Sequence, residues 1–207
     1  MNSNTERLRI AGPAGALELA IDLPAPEVPV RGVAVICHPH PQHGGTMDNK
    51  VAQMLARTFI QLGYRAVRFN FRGTGASEGS WDEGRGEIDD ALAVIADQRD
   101  PALPLALAGF SFGAYVTSQA ARRLADTGVA AERLVLVGPA TRNFEVAPVP
   151  ADTIVVHGEV DDVVPLQATL DWARPQHLPV IVMPGVGHFF HGQLTLLKSI
   201  VVRAWHR

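Results

Sequence analysis

The segment Leu105-Ala106-Leu107-Ala108-Gly109-Phe110-Ser111-Phe112-Gly113-Ala114-Tyr115-Val116-Thr117 changes character in the middle. Its first part is a short apolar run of the kind that forms a strand buried on both faces, and its last part starts a helical pattern. Between them lies Gly109-Phe110-Ser111-Phe112-Gly113, a Gly-x-Ser-x-Gly pentapeptide. In a strand-to-helix context this pattern makes a tight turn that holds serine in strained backbone angles and projects its hydroxyl over the sheet. Ser111 is therefore the candidate nucleophile. A hydroxyl becomes a useful nucleophile only when a base takes its proton during attack.

Outward from this segment, similar strand signals recur at Leu17–Leu23, Val33–Cys37, Ala66–Phe69, Leu134–Val137, Thr153–His157 and Val180–Met183. From Val33 onward these runs are nearly continuous in Val, Ile, Leu and Ala, which predicts a parallel sheet. Arg7–Ile10 and Leu17–Leu23, joined across Ala11-Gly12-Pro13-Ala14-Gly15, predict an antiparallel pair added at one edge. Helical periodicity falls between the strands, over Asp48–Leu62, Gly86–Asp100, Phe112–Leu124, Leu166–Ala173 and Gly192–Trp205. Strand–helix alternation with short links predicts a three-layer α/β sandwich, one domain over residues 1–207.

The base is expected near Ser111 in space. Gly185-Val186-Gly187-His188-Phe189-Phe190 follows the last strand and precedes the last helix. That loop belongs at the carboxyl edge of the sheet, where open α/β folds bind ligands. His188 is the first choice and His191 its rival. The acid belongs after Thr153–His157, in Gly158-Glu159-Val160-Asp161-Asp162-Val163-Val164-Pro165. Its task is to fix the histidine tautomer and stabilise the imidazolium. Asp161 is preferred, with Asp162 and Glu159 as alternates. The chain order Ser111, Asp161, His188 matches that of hydrolases built on a nucleophile elbow.

An oxyanion formed during acyl transfer needs two preorganised N–H donors. Phe112 N–H is the first candidate. The second belongs to the loop after Val33–Cys37, which reads His38-Pro39-His40-Pro41-Gln42. Proline lacks an N–H, so Pro39 and Pro41 drop out, leaving His40 ahead of Gln42.

These features together resemble the α/β-hydrolase fold over nearly the whole chain. The chain is similar in particular to small bacterial hydrolases that carry a His-Pro-His-Pro loop followed by Gly-Gly-Thr-Met-Asp-Asn-Lys. In this sequence these are His38–Pro41 and Gly44–Lys50. Asn70-Phe71-Arg72-Gly73-Thr74-Gly75-Ala76-Ser77 also resembles the Arg-Gly-x-Gly-x-Ser segment of that superfamily. The resemblance implies the fold and a triad of Ser111, Asp161 and His188. It does not imply a substrate. The His-Pro loop departs from the His-Gly oxyanion pattern common in the superfamily.

The composition narrows the partners. The 207 residues carry 18 Lys and Arg against 21 Asp and Glu, a formal net charge of −3. Neither a nucleic acid nor an anionic membrane surface is expected as a partner, since both call for a basic excess. Cys37 is the single cysteine, so no disulfide links the chain to itself. The start, Met1–Arg9, lacks the apolar stretch of a signal peptide, and a cytoplasmic enzyme is the default expectation. His38, His40 and His43 invite a metal reading but lack acidic partners. No metal and no cofactor is expected.

The link between Leu134–Val137 and Thr153–His157 offers about a dozen residues, too few for a helical cap domain. An open, shallow site is expected, with Phe110, Phe112, Arg142 and Phe144 as wall residues. It suits a small-molecule acyl substrate: a carboxylic or thio ester of a short or exposed acyl group. A peptidase or amidase with the same triad, and a non-catalytic binding protein on the same fold, are the alternatives. A homodimer, with a second subunit covering the cleft, also stays open. Arg72 and Ser77 are expected to structure their loop, and Asp48 and Asn49 to cap the following helix.

Overall fold

The computed structural model describes residues 5–206. Met1–Asn4 and Arg207, the ends of the span expected to form one domain, lie outside the described residues. The chain forms one sheet of strands β1 (Glu6–Gly12), β2 (Gly15–Asp22), β3 (Gly32–Cys37), β4 (Tyr64–Phe69), β5 (Leu105–Phe110), β6 (Arg133–Val137), β7 (Ile154–Gly158) and β8 (Val180–Met183). Their spatial order is β1-β2-β4-β3-β5-β6-β7-β8. β1 pairs antiparallel with β2, and β2 antiparallel with β4; every pairing from β4 to β8 is parallel. This is the α/β-hydrolase fold with an antiparallel N-terminal edge.

The strand residues divide between the two faces with a period of two. Val33, Val35 and Cys37 of β3 face one side with Leu105 and Leu107 of β5. Ala34 and Ile36 face the other with Ala106, Ala108 and Phe110. Helices cover both sides. α1 (Lys50–Gln61) and α5 (Leu194–Trp205) pack Met54, Leu55, Phe59, Leu197 and Val201 onto the Ile36 face. α2 (Arg85–Gln98) and α3 (Phe112–Asp126) pack Ile88, Ile95, Val116 and Ala120 onto the Val35 face. α4 (Leu166–Ala173) contributes Ala173 beside Val155 and Leu136. Both faces of β3 and β5 are dry, which explains their uninterrupted apolar sequences.

The helix ends differ from the sequence-based bounds for local reasons. α1 starts at Lys50 because Asn49 caps it, its side chain accepting the N–H groups of Val51 and Ala52. Asp48 instead faces Arg7 and Arg68. α2 ends at Gln98 rather than Asp100, ahead of Pro101, which disfavours helical angles in the residue before it. α5 begins at Leu194 rather than Gly192, whose φ of 73° lies in the left-handed region. Arg72 and Ser77 are loop-structuring groups. Arg72 forms a buried pair with Asp90 at 2.7 Å, and Ser77 Oγ donates to the Asn70 carbonyl at 2.7 Å.

Between β6 and β7, residues 139–152 contain no helix or strand, so no cap covers the carboxyl edge of the sheet. No helix among the described residues is long and apolar enough to cross a membrane.

Candidate active site

Ser111 links β5 to α3 with φ 57° and ψ −117°, a combination costly for any residue but glycine. The surroundings over-determine it. Its N–H donates to the Val137 carbonyl on β6 at 2.9 Å, and its carbonyl accepts from Ala114 N–H at 3.0 Å. Gly113 is needed for close approach: a Cβ there would lie 2.2 Å from the Cys37 carbonyl oxygen and 2.5 Å from that of His38. The start of α3 is thus pressed against the loop that follows β3.

The serine hydroxyl, the expected base and the expected acid lie in a continuous line. Ser111 Oγ lies 3.0 Å from His188 Nε2, and His188 Nδ1 lies 2.7 Å from Asp161 Oδ2. Since the carboxylate only accepts, Nδ1 carries the imidazole proton and Nε2 is free to accept from Ser111. The other carboxylate oxygen, Oδ1, accepts the N–H groups of Val163 at 3.0 Å and Val164 at 2.7 Å. Burial pushes the Asp161 carboxyl up. Hydrogen bonds from His188 and Val164, with the nearby histidines, outweigh that and hold it below the ordinary carboxylate range.

The rival residues sit elsewhere. His191 is exposed, its ring 5.8 Å from that of Phe189. Asp162 is exposed, and Glu159 accepts the Gly185 N–H at the surface.

Phe112 opens α3, so its N–H is one of the donors a helix start leaves without an internal partner. His40 stands across from it, with ring centroids 5.1 Å apart. The His40 carbonyl accepts from His43 and Gly45 N–H groups and closes the 3₁₀ turn Pro41–His43. Gln42 is exposed on that turn.

His38 anchors the same loop. Its Nδ1–H donates to the Pro39 carbonyl at 2.6 Å, and its Nε2 accepts Phe71 N–H at 3.1 Å. Both ring nitrogens are thereby engaged within the protein. Burial, with His40 nearby, pushes its pKa down to about 3 against the Pro39 bond, so the ring is neutral. Replacing it by leucine orphans the buried Phe71 N–H. His38→Leu is expected to lower unfolding stability by about 1–3 kcal/mol, read from urea denaturation. Among the described residues, no group of three or more His, Cys, Asp or Glu is arranged to hold a metal ion.

The four expected wall residues have different fates, and Phe112 is buried at the start of α3. Phe144 is half-buried against Phe112, Tyr115 and His40, with ring centroids 5.1, 4.9 and 5.9 Å away. Arg142 is exposed on the turn after β6. Phe110 is not a wall residue. The parity of β5 sends its side chain into the core with Ala106 and Ala108, where it is fully buried and lies under the His188 ring at 5.0 Å. Trp81 stands beside the same rings, 4.5 Å from that of His40 and 5.2 Å from that of Phe112.

His157, the last residue of the predicted strand Thr153–His157, also lies near the site. It ends four residues before Asp161, and its Nε2 is 3.4 Å from Asp161 Oδ2. The spacing His-Gly-x-x-Asp at the end of a strand is the signal that could have drawn attention to it.

Known proteins share this arrangement of elements. An α/β serine hydrolase of Xanthomonas campestris, described as lacking a lid, superposes with a TM-score of 0.89 at 39% identity, over 100% of this chain and 96% of that one. An alpha-beta serine hydrolase homologue from Coxiella burnetii superposes with a TM-score of 0.81 at 38% identity, over 98% of each chain. Among curated sequences, an uncharacterized protein of Rickettsia prowazekii (strain Madrid E) is 29% identical over 196 residues, covering 86% of this chain and 79% of that protein. The lysophosphatidylserine lipase ABHD12 of Danio rerio is 38% identical over 109 residues, 51% of this chain but 28% of the lipase. The Hydrolase_4 profile, described as serine aminopeptidase S33, matches residues 28–151, a stretch that runs from before β3 through the serine turn to the capless link. With more than half of its length matched and a serine turn on a lidless sheet, the chain belongs to the Hydrolase_4 (serine aminopeptidase, S33) family.

Proposed function

We propose that the protein is a serine hydrolase that cleaves carboxylic or thio esters of short or exposed acyl groups. The observation that carries this reading is the unbroken line from Ser111 Oγ through His188 to Asp161, with separations of 3.0 and 2.7 Å. In this reading His188 Nε2 takes the Ser111 proton as the oxygen attacks the acyl carbonyl. Asp161 stabilises the imidazolium that forms. The oxyanion of the tetrahedral intermediate is held by Phe112 N–H and His40 N–H. His188 then hands its proton to the leaving group, and a water repeats the sequence on the acyl-enzyme.

Several features support an ester with an apolar acyl part. Phe189 is exposed with its ring 5.1 Å from that of His188, and Val160 and Val163 are exposed in the loop that carries Asp161. Trp81, His40 and Phe144 cluster around Phe112, the residue after Ser111. One relative is named as a lysophosphatidylserine lipase, an ester-cleaving activity, although this chain matches 28% of it. The same machinery cleaves amides, and the family description names an aminopeptidase. The uncapped site favours reactive, accessible esters over a peptide that must be gripped along its length.

A fluorophosphonate probe tests this reading, combined with p-nitrophenyl esters of increasing acyl length. The expected result is one covalent adduct, on the tryptic peptide at Ser111, and turnover that declines with long acyl chains. An unlabelled protein, or an adduct on another residue, overturns it.

A further inference from the structure

We propose that His157 is a positioning residue for the triad acid, a role that rests on the reading of Asp161 as that acid. His157 is the penultimate residue of β7 and fully buried. Its Nε2 lies 2.9 Å from the Val164 carbonyl, an obligate acceptor, so Nε2 carries the ring proton. The same nitrogen lies 3.4 Å from Asp161 Oδ2, the oxygen that accepts from His188, close enough to favour its negative charge without a hydrogen bond. Nδ1 is then bare, and it is buried without a hydrogen-bond partner among the described residues.

A buried polar atom without a partner is costly, so this histidine is poorly explained as core filling. An aliphatic side chain at 157 would carry no bare nitrogen, but it would leave the buried Val164 carbonyl without its donor. What histidine adds is one donor that holds the Val164 carbonyl of the acid loop while standing beside the acid itself. The Val164 carbonyl is held from β7, and Val164 N–H in turn holds Asp161 Oδ1 at 2.7 Å. Oδ2 is bonded to His188 at 2.7 Å and has His157 Nε2 3.4 Å away. The carboxylate plane cannot rotate without losing contacts at both oxygens. His157 does not touch the reacting atoms; it acts through Asp161. Burial lowers its pKa, though the Val164 bond and Asp161 oppose this, so it serves as a neutral donor and adds no second cation beside His188.

Three variants test the role. His157→Leu fills much of the ring's space without a donor. It is expected to lower kcat by about tenfold to a hundredfold, the effect of a small misalignment, with KM near wild type and a melting temperature lowered by the loss of the Val164 carbonyl's partner. The amide nitrogen of His157→Gln reaches the Nε2 position and restores most of the turnover. The amide of His157→Asn ends near the Nδ1 position, so that variant behaves like His157→Leu. Equal kcat in the Gln and Asn variants, or a His157→Leu enzyme with wild-type kcat, overturns the proposal. Should His157→Leu not fold, the Gln and Asn pair decides alone. Ser111→Ala is assayed alongside. If it turns over like wild type, the triad reading itself fails. If it is inactive while His157→Leu is fully active, only the positioning role fails.

Discussion

Ser111→Ala is expected to lower kcat toward ester substrates by about a millionfold, the scale seen when a triad serine is removed from a protease. Alanine keeps the backbone of the turn. The contacts of Ser111 N–H with Val137 and of its carbonyl with Ala114 belong to the main chain and survive. The left-handed φ strains alanine as it strains serine, so melting temperature should hardly change. What disappears is the oxygen 3.0 Å from His188 Nε2. Ester hydrolysis followed over hours at high enzyme concentration measures the residual rate. A loss of only tenfold would mean that another group attacks the substrate.

Asp161→Asn is expected to lower kcat by about ten-thousandfold, whereas Asp162→Asn leaves it within about twofold of wild type. The environment dictates how asparagine must sit. Val163 and Val164 N–H groups point at the Oδ1 position, so the amide oxygen belongs there. The NH₂ group then faces His188 Nδ1, where it can only donate. That drives the imidazole proton to Nε2, and His188 presents a donor to Ser111 instead of an acceptor. The same NH₂ also confronts the Nε2–H of His157. Asp162 is exposed and takes no part in this arrangement. Steady-state rates of the two variants decide the matter, and the reverse ranking would move the acid role by one residue.

Much of this site is legible in the sequence because its parts are local. The serine turn requires glycines on both sides at fixed offsets. The acid and base loops follow apolar runs whose bounds differ from the observed strands by a residue at most. Asp161, rather than Asp162 or Glu159, reaches His188, and that choice needed tertiary geometry. It depends on which side chain of a tight turn points back at β8's loop. Phe110 shows the opposite limit. Adjacency to the nucleophile suggests a cleft residue, yet a strand alternates its side chains, and the core claims that position. His157 was obscure for a different reason. A histidine at the end of an apolar run looks like a polar edge residue until the carboxylate four residues later folds back beside it.

The uncapped link between β6 and β7 also matters for how such an enzyme could acquire a new substrate range. Val146, Ala147 and Val149 are tied to Trp172, Ser118 and Gln176 through main-chain groups, so the later part of the link is fastened to helices α3 and α4 and the turn that follows α4. Arg142 and Asn143, by contrast, are exposed at the tip of a turn. Extra chain spliced in between those two residues would emerge next to Phe144, on the aromatic side of the cleft. The triad and its backbone anchors would keep their places. The fold thus separates chemistry from selection: one part of the chain is over-constrained, and an adjoining turn is free to lengthen.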